Sequence, residues 1–124
     1  RINGIPTASE YVEALTNVLT AKSKLWDMLK AHYHAPNKMM TSTQLAMSAG
    51  YKDFSAANSQ YGTLGRKVSE FINFIPPGKY NDGRPLWLTA LVIEGTENFE
   101  DDTGHWKHEM RPELAEALEI LGIV

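Results

Sequence analysis

TSTQLAMSAGYKDFSAANSQYGTLGRKVSEF, Thr41 to Phe71, decides the fold of this chain. Thr41 stands three residues before Gln44, so its hydroxyl can accept from the first-turn backbone while the Gln44 amide reaches back, a capping box. Leu45, Ala46 and Ala49 give a short helix one apolar face, and Gly50 supplies the left-handed residue that ends it. Ser55 is placed to cap a second helix, with Phe54 stapled back onto that helix or the core. Apolar residues then recur at Ala57, Tyr61, Leu64, Val68, Phe71 and Ile75, spaced by alternating fours and threes, which draws one stripe along a helix. Two helices joined by a tight turn are the layout of a helix-turn-helix, expected over 41–74.

At 100° per residue, Ser55, Ser59, Gly62, Thr63 and Arg66 lie farthest from that stripe, flanked by Asn58 and Gly65 on one side and Gln60 and Lys67 on the other. A solvated helix face ordinarily carries Glu and Lys pairs, whereas this one carries hydroxyl, amide and glycine positions with a basic end. Such a face lets backbone approach a surface closely and offers donors to phosphates and base edges. Asn58 is suited to adenine, and Arg66 to phosphate or guanine. The two glycines each weaken a helix by about 1 kcal/mol relative to alanine, so they mark close approach, a kink or a helix end.

The remaining segments frame this pair. Thr7 before Glu10 is a second capping box, and Tyr11, Val12, Leu15, Val18, Leu19, Lys22, Leu25, Trp26, Leu29 and Tyr33 follow a helical stripe, so one long helix is expected over 7–33. Pro36 stops it, and Lys38 to Met40 makes a short extended link. Ile75 to Pro85 concentrates proline, glycine, Asn81 and Asp82, and reads as a loop. Leu86 to Ile93, LWLTALVI, reads as a buried strand paired with His105 to Met110, a hairpin over 86–110 whose tip EGTENFEDDTG is polar and acidic. Pro112 opens a closing helix over 112–121 that Gly122 ends. The expected architecture is a single domain, 1–124, mainly α with a small β-hairpin: a winged helix-turn-helix with an extra N-terminal helix and a C-terminal helix. Trp26, Tyr61, Leu64, Trp87, Trp106 and Leu118 are expected in its core, the alternative for Trp87 and Trp106 being a stacking surface for a methylated base.

Composition bounds the chemistry. With 124 residues and 43% hydrophobic content the chain can bury a core unaided. It has no cysteine, hence no disulfide and no thiolate, which is compatible with a cytoplasmic protein. No apolar run approaches the ~20 residues of a membrane span, and no signal-peptide pattern opens the chain. It begins at Arg1, as expected of a module cut from a longer protein or of a chain lacking its leading residues. The net charge of −3 is unevenly spread: from Lys22 to Arg84 nine basic residues face four acidic, and the excess of acid lies in the remainder. The basic half coincides with the helix pair, so the expected DNA contacts are Thr41, Lys52, Ser55, Asn58, Ser59, Thr63, Arg66 and Lys67, with Lys79 and Arg84 from the following loop.

Catalytic and metal chemistry find little support. His105, His108 and Glu109 lack the four-residue spacing of a helical zinc motif, and residues three apart on a strand point to opposite faces. His32 and His34 do not share a helix face, and Glu100, Asp101 and Asp102 lack the alternating ligands of a calcium loop. Gly62-x-x-Gly65-Arg66 falls inside a helical pattern and not after a strand, against a nucleotide loop. No serine elbow and no nuclease set of histidine and asparagine is present, so the chain reads as a non-enzyme with neither cofactor nor metal.

QLAMSAGYKDFSAANSQYGTLGRKV and GHWKHEMRPELAEALEILGIV together resemble the winged-helix modules found beside HNH nucleases in bacterial restriction-type proteins. There a helix-turn-helix ending in Tyr-Gly-x-Leu-Gly-Arg is followed by a Trp strand and an Arg-Pro-Glu helix. The resemblance spans about two thirds of the chain. It implies a double-stranded DNA targeting part with nuclease chemistry elsewhere in a parent polypeptide, a nuclease domain or a homodimer partner alongside, and in some relatives a preference for modified bases. Gly50, Tyr51 and Phe54 also resemble the helix pair of AraC-type regulators, from which the downstream hairpin departs. The five carboxylates of the tip would repel phosphates, so the alternative is a winged helix that docks a protein through that tip; weaker still is an adaptor that oligomerises through its first helix.

Overall fold

The capping boxes form as the sequence expects. In the computed structural model, which describes residues 1–19, 23–93 and 107–124, Thr7 Oγ1 accepts from Glu10 N and Glu10 Oε1 accepts from Thr7 N, at 3.2 and 3.0 Å, opening α1, Ala8–Val18. The single long helix over 7–33 does not form. α1 ends at the extended Leu19, and Ser23 caps a separate helix, α2, Lys24–His34, by accepting from Trp26 N at 3.2 Å. A serine hydroxyl that competes for backbone donors is the physical reason: the apolar spacing runs on through the junction, but local capping breaks the helix. The break lets α1 pack against the C-terminal helix while α2 packs beside the helix pair.

A 3-10 turn, Pro36–Lys38, with Asn37 and Lys38 at positive φ, leads into β1, Met39–Thr41. α3, Ser42–Ser48, and α4, Phe54–Ile72, follow. β1 pairs antiparallel with β2, Lys107–Glu109, placing Met39 opposite Glu109 and Thr41 opposite Lys107. The chain closes with α5, Pro112–Leu121, begun by proline and ended by Gly122 at φ +72°.

Leu86 to Ile93 does not form the expected strand. Trp87–Ala90 is a 3-10 turn packed on α4, and only Val92 bridges Met110, with Ile93 N donating to Glu109 O at 2.9 Å. Side chains satisfy the turn in place of a ladder. Arg111 Nε and Nη2 donate to Thr89 O at 3.0 and 2.8 Å, Tyr11 Oη donates to Ala90 O at 2.5 Å, and Thr89 Oγ1 donates to Leu86 O at 2.6 Å. A short apolar run signals burial without choosing between strand and turn, and these long-range donors made the choice. The expected tip, with Glu100, Asp101, Asp102, His105 and Trp106, lies outside the described residues.

One cluster joins the elements: Tyr11 and Leu15 of α1, Met28 and Leu29 of α2, Leu45, Tyr61, Leu64, Val68, Leu91, Met110, Leu114 and Leu118. Tyr61, Leu64 and Leu118 are buried as expected, whereas Trp26 and Trp87 are half-buried. The stripe on α4 ends sooner than its sequence suggests. Phe71 and Ile75 are exposed, and Phe74 is buried instead because Asn73 takes a left-handed φ of 55° that turns the chain after the helix. The Arg1 guanidinium closes that end: it pairs with Glu10 at 2.7 Å and donates to the carbonyls of Ile72 and Asn73. Among the described residues no helix is long and apolar enough to cross a membrane.

Candidate nucleic-acid interface

The α3–α4 pair is built on its own turn chemistry. Thr41 Oγ1 accepts from Gln44 N at 3.1 Å while Gln44 Oε1 accepts from Thr41 N at 3.0 Å. Gly50, at φ +79°, reverses the chain so that Tyr51 N donates to Ala46 O at 2.9 Å. Asp53, not Ser55, caps α4, its Oδ1 accepting from Ser55 N at 3.0 Å. Phe54 begins the helix and is 55% exposed, so it staples nothing. A carboxylate is as good a cap as serine, and starting α4 two residues earlier turns Phe54 outward.

Of the expected contacts, Lys52, Ser55, Asn58, Ser59, Thr63, Arg66 and Lys67 are all exposed, and the six on α4 run its length from the first turn to Lys67. Thr41 is the exception. It is buried, and its hydroxyl is committed to the cap, so it is a structural residue. Gly65 also departs from its expected place at the surface. It is buried, and a Cβ there would lie 2.1 Å from Trp87 O, so the close approach it permits is to the protein's own 3-10 turn. Gly62 is half-buried with open space beside it and stays with the polar face.

Lys79 and Arg84 sit on a small turn closed by a Lys79–Pro85 bridge, by Tyr80 N donating to Arg84 O at 2.9 Å, and by Gly83 at φ +89°. The turn runs directly into Trp87, so its base abuts α4 at Gly65. Two of the expected cations are already paired at the surface: Arg66 Nε with Glu70 at 3.4 Å, and Arg84 Nε with Asp82 at 2.7 Å. Exposed pairs of this kind are weak and exchange readily for a phosphate. Lys52, Lys67 and Lys79 make no ion pair among the described residues.

A polar network that the sequence did not announce underlies the N-terminal half of α4. Ser42 Oγ donates to Asn58 Oδ1 at 2.6 Å and lies 3.3 Å from His108 Nε2. Behind it His32 is fully buried, its Nε2 donating to His108 O at 2.8 Å, which leaves Nδ1 to accept from Tyr61 Oη at 3.0 Å. Burial pushes His32 down to about 4 and raises the Tyr61 phenol, so both are neutral at pH 7. These contacts join residues from α2, α3, α4 and β2, and only the folded chain brings them together. Among the described residues no group of three His, Cys, Asp or Glu side chains converges as a metal site. No protein-family model matches this chain, and neither a curated protein nor a solved structure matches it.

Proposed function

We propose that this chain binds double-stranded DNA by laying the exposed face of α4 in the major groove, as the targeting module of a larger restriction- or regulator-type protein. The observation that carries this reading is the face itself: Ser55, Asn58, Ser59, Thr63, Arg66 and Lys67 are exposed on a helix whose opposite side, Ala57, Tyr61, Leu64 and Val68, is buried. The element order supports it. α2, β1, α3, α4 and β2 follow one another, β1 pairing with β2 and Val92 bridging Met110 just beyond it, an order that a winged helix would also have. Lys79 and Arg84 on their turn supply backbone contacts in place of an acidic wing. On this reading the protein is cytoplasmic and carries no chemistry of its own, any nuclease activity lying in another part of its parent.

Replacing Asn58 and Ser59 together by alanine is expected to weaken duplex binding at fixed salt by about 1–3 kcal/mol and to blur base preference. Unchanged affinity with unchanged preference would remove this face from the interface. The second reading, a protein-docking winged helix, draws on Met47 and Phe54, 70% and 55% exposed beside the α3–α4 turn. It predicts no duplex binding at any salt.

A further inference from the structure

The contact between Ser42 and Asn58 determines which end of the Asn58 amide faces outward. Asn58 is exposed on α4, so its carboxamide is free to turn unless something holds it. Its Oδ1 lies 2.6 Å from Ser42 Oγ, a separation characteristic of O–H···O and shorter than N–H···O bonds usually are. The hydroxyl has one proton, and it is spent on Asn58. The 3.3 Å contact between Ser42 Oγ and His108 Nε2 is then one in which the imidazole N–H donates to the hydroxyl oxygen. Both neighbours are anchored: Ser42 in the first turn of α3, directly after the buried Thr41 cap, and His108 in β2, paired with Met40. The relay from His108 through Ser42 therefore ends with the amide oxygen turned inward and the two Nδ2 protons turned out.

We infer that Ser42 is a positioning residue that makes Asn58 a donor-only reader, so that Asn58 selects guanine over adenine at the base it meets. The inference rests on the DNA-binding reading above. Asparagine recognises adenine with both ends of its amide, the oxygen accepting from N6 and the nitrogen donating to N7. With its oxygen turned inward onto Ser42, Asn58 presents its N–H groups to the groove, and guanine offers two acceptors, O6 and N7, on the same edge. An asparagine free to turn suits adenine; the Ser42 contact reverses that choice.

The test is a duplex panel with all four bases at the position whose preference disappears in Asn58→Ala. The parent is expected to prefer guanine there. Ser42→Ala frees the amide to rotate, and the guanine-to-adenine ratio is expected to fall by about tenfold or more. Ser42→Thr, which keeps the hydroxyl, is expected to hold the parent ratio. Thermal melting of each variant separates lost positioning from lost fold. Should Ser42→Ala fail to fold, Ser42→Cys takes its place: a thiol is close to the hydroxyl in size but a weak donor, so the same fall in the guanine-to-adenine ratio is expected, and a folded Ser42→Cys with the parent's ratio overturns the inference. A parent that prefers adenine at that position, or a folded Ser42→Ala with the parent's ratio, overturns the inference and leaves DNA binding standing. A parent that binds no duplex at low salt overturns both.

Discussion

Gly65→Ala is expected to destabilise the protein by about 3 kcal/mol, although alanine is intrinsically the better helix former by about 1 kcal/mol. An added Cβ would stand 2.1 Å from Trp87 O and 2.8 Å from Trp87 C, which are backbone atoms that cannot swing aside. Relief requires the whole Trp87–Ala90 turn to move off α4. That turn is tied down from the other side, by the Arg111 guanidinium on Thr89 O and the Tyr11 hydroxyl on Ala90 O. Shifting it strains buried charge-assisted bonds as well as the packing. Gly62, three residues earlier in the same helix, meets nothing within 4 Å, so Gly62→Ala is expected to stabilise by up to about 1 kcal/mol. Urea unfolding checks the pair: the midpoints should move in opposite directions with little change in slope. Equal shifts of the same sign would contradict the packing of the turn on α4.

A second large effect concerns pH. His32 is neutral and fully buried, its ring held between the Tyr61 hydroxyl and the His108 carbonyl, and burial lowers its folded pKa to about 4. In the unfolded chain the imidazole titrates near 6.5. The unfolded state therefore binds a proton that the folded state refuses throughout that interval, and stability falls as pH falls from about 6.5 to about 4. It is complete above the unfolded value and levels off below the folded one. One such group contributes a slope of about 1.4 kcal/mol per pH unit, roughly 3 kcal/mol over the window. Glu10, held below its ordinary value by the Arg1 side chain, begins to lose its contribution as pH falls through the ordinary carboxylate range and goes on losing it below, so its effect lies at the acid end of the window. Denaturant unfolding at pH 7, 5.5 and 4.5, on the parent and on His32→Gln, isolates the effect. The parent should lose stability across the series, and the variant, weaker at neutral pH, should lose markedly less. Parallel curves for the two proteins would mean that His32 is not the buried neutral group described.

Most of the local capping and turn chemistry is legible in the sequence, the caps at Ser23 and Asp53 excepted, and the long-range chemistry is not. The Thr7 and Thr41 capping boxes, the left-handed Gly50 and the proline start and glycine end of α5 each depend on residues within four positions, and each forms as read. The apolar spacing continues from Leu19 to Leu25 and predicts one helix where the Ser23 cap makes two. LWLTALVI was recognisable as buried, yet its form depended on Tyr11 and Arg111, both distant in sequence. The polar face of α4 was legible from its angular pattern. Gly65 departs from it because it answers to Trp87, a relation that leaves no trace in helical periodicity, whereas Thr41 is withdrawn by the very cap that the sequence shows, which spends its hydroxyl inside the protein. Nothing in the sequence marks Ser42, because its partners, Asn58 and His108, come from other elements.

The central claim, that α4 meets duplex DNA, is tested most directly by titrating the protein with a B-form duplex at several salt concentrations. Lys52, Arg66, Lys67, Lys79 and Arg84 are exposed, and three to five phosphate contacts from such a set give a slope of log affinity against log salt of about −2.7 to −4.5. Reversing the charge at Arg66 and Lys67 together should flatten that slope by about two contacts' worth, since both lie on the face assigned to the groove. Steep salt dependence in the parent and a shallower one in the variant is the expected result. No measurable duplex binding at low salt, or the same slope in both proteins, would contradict it.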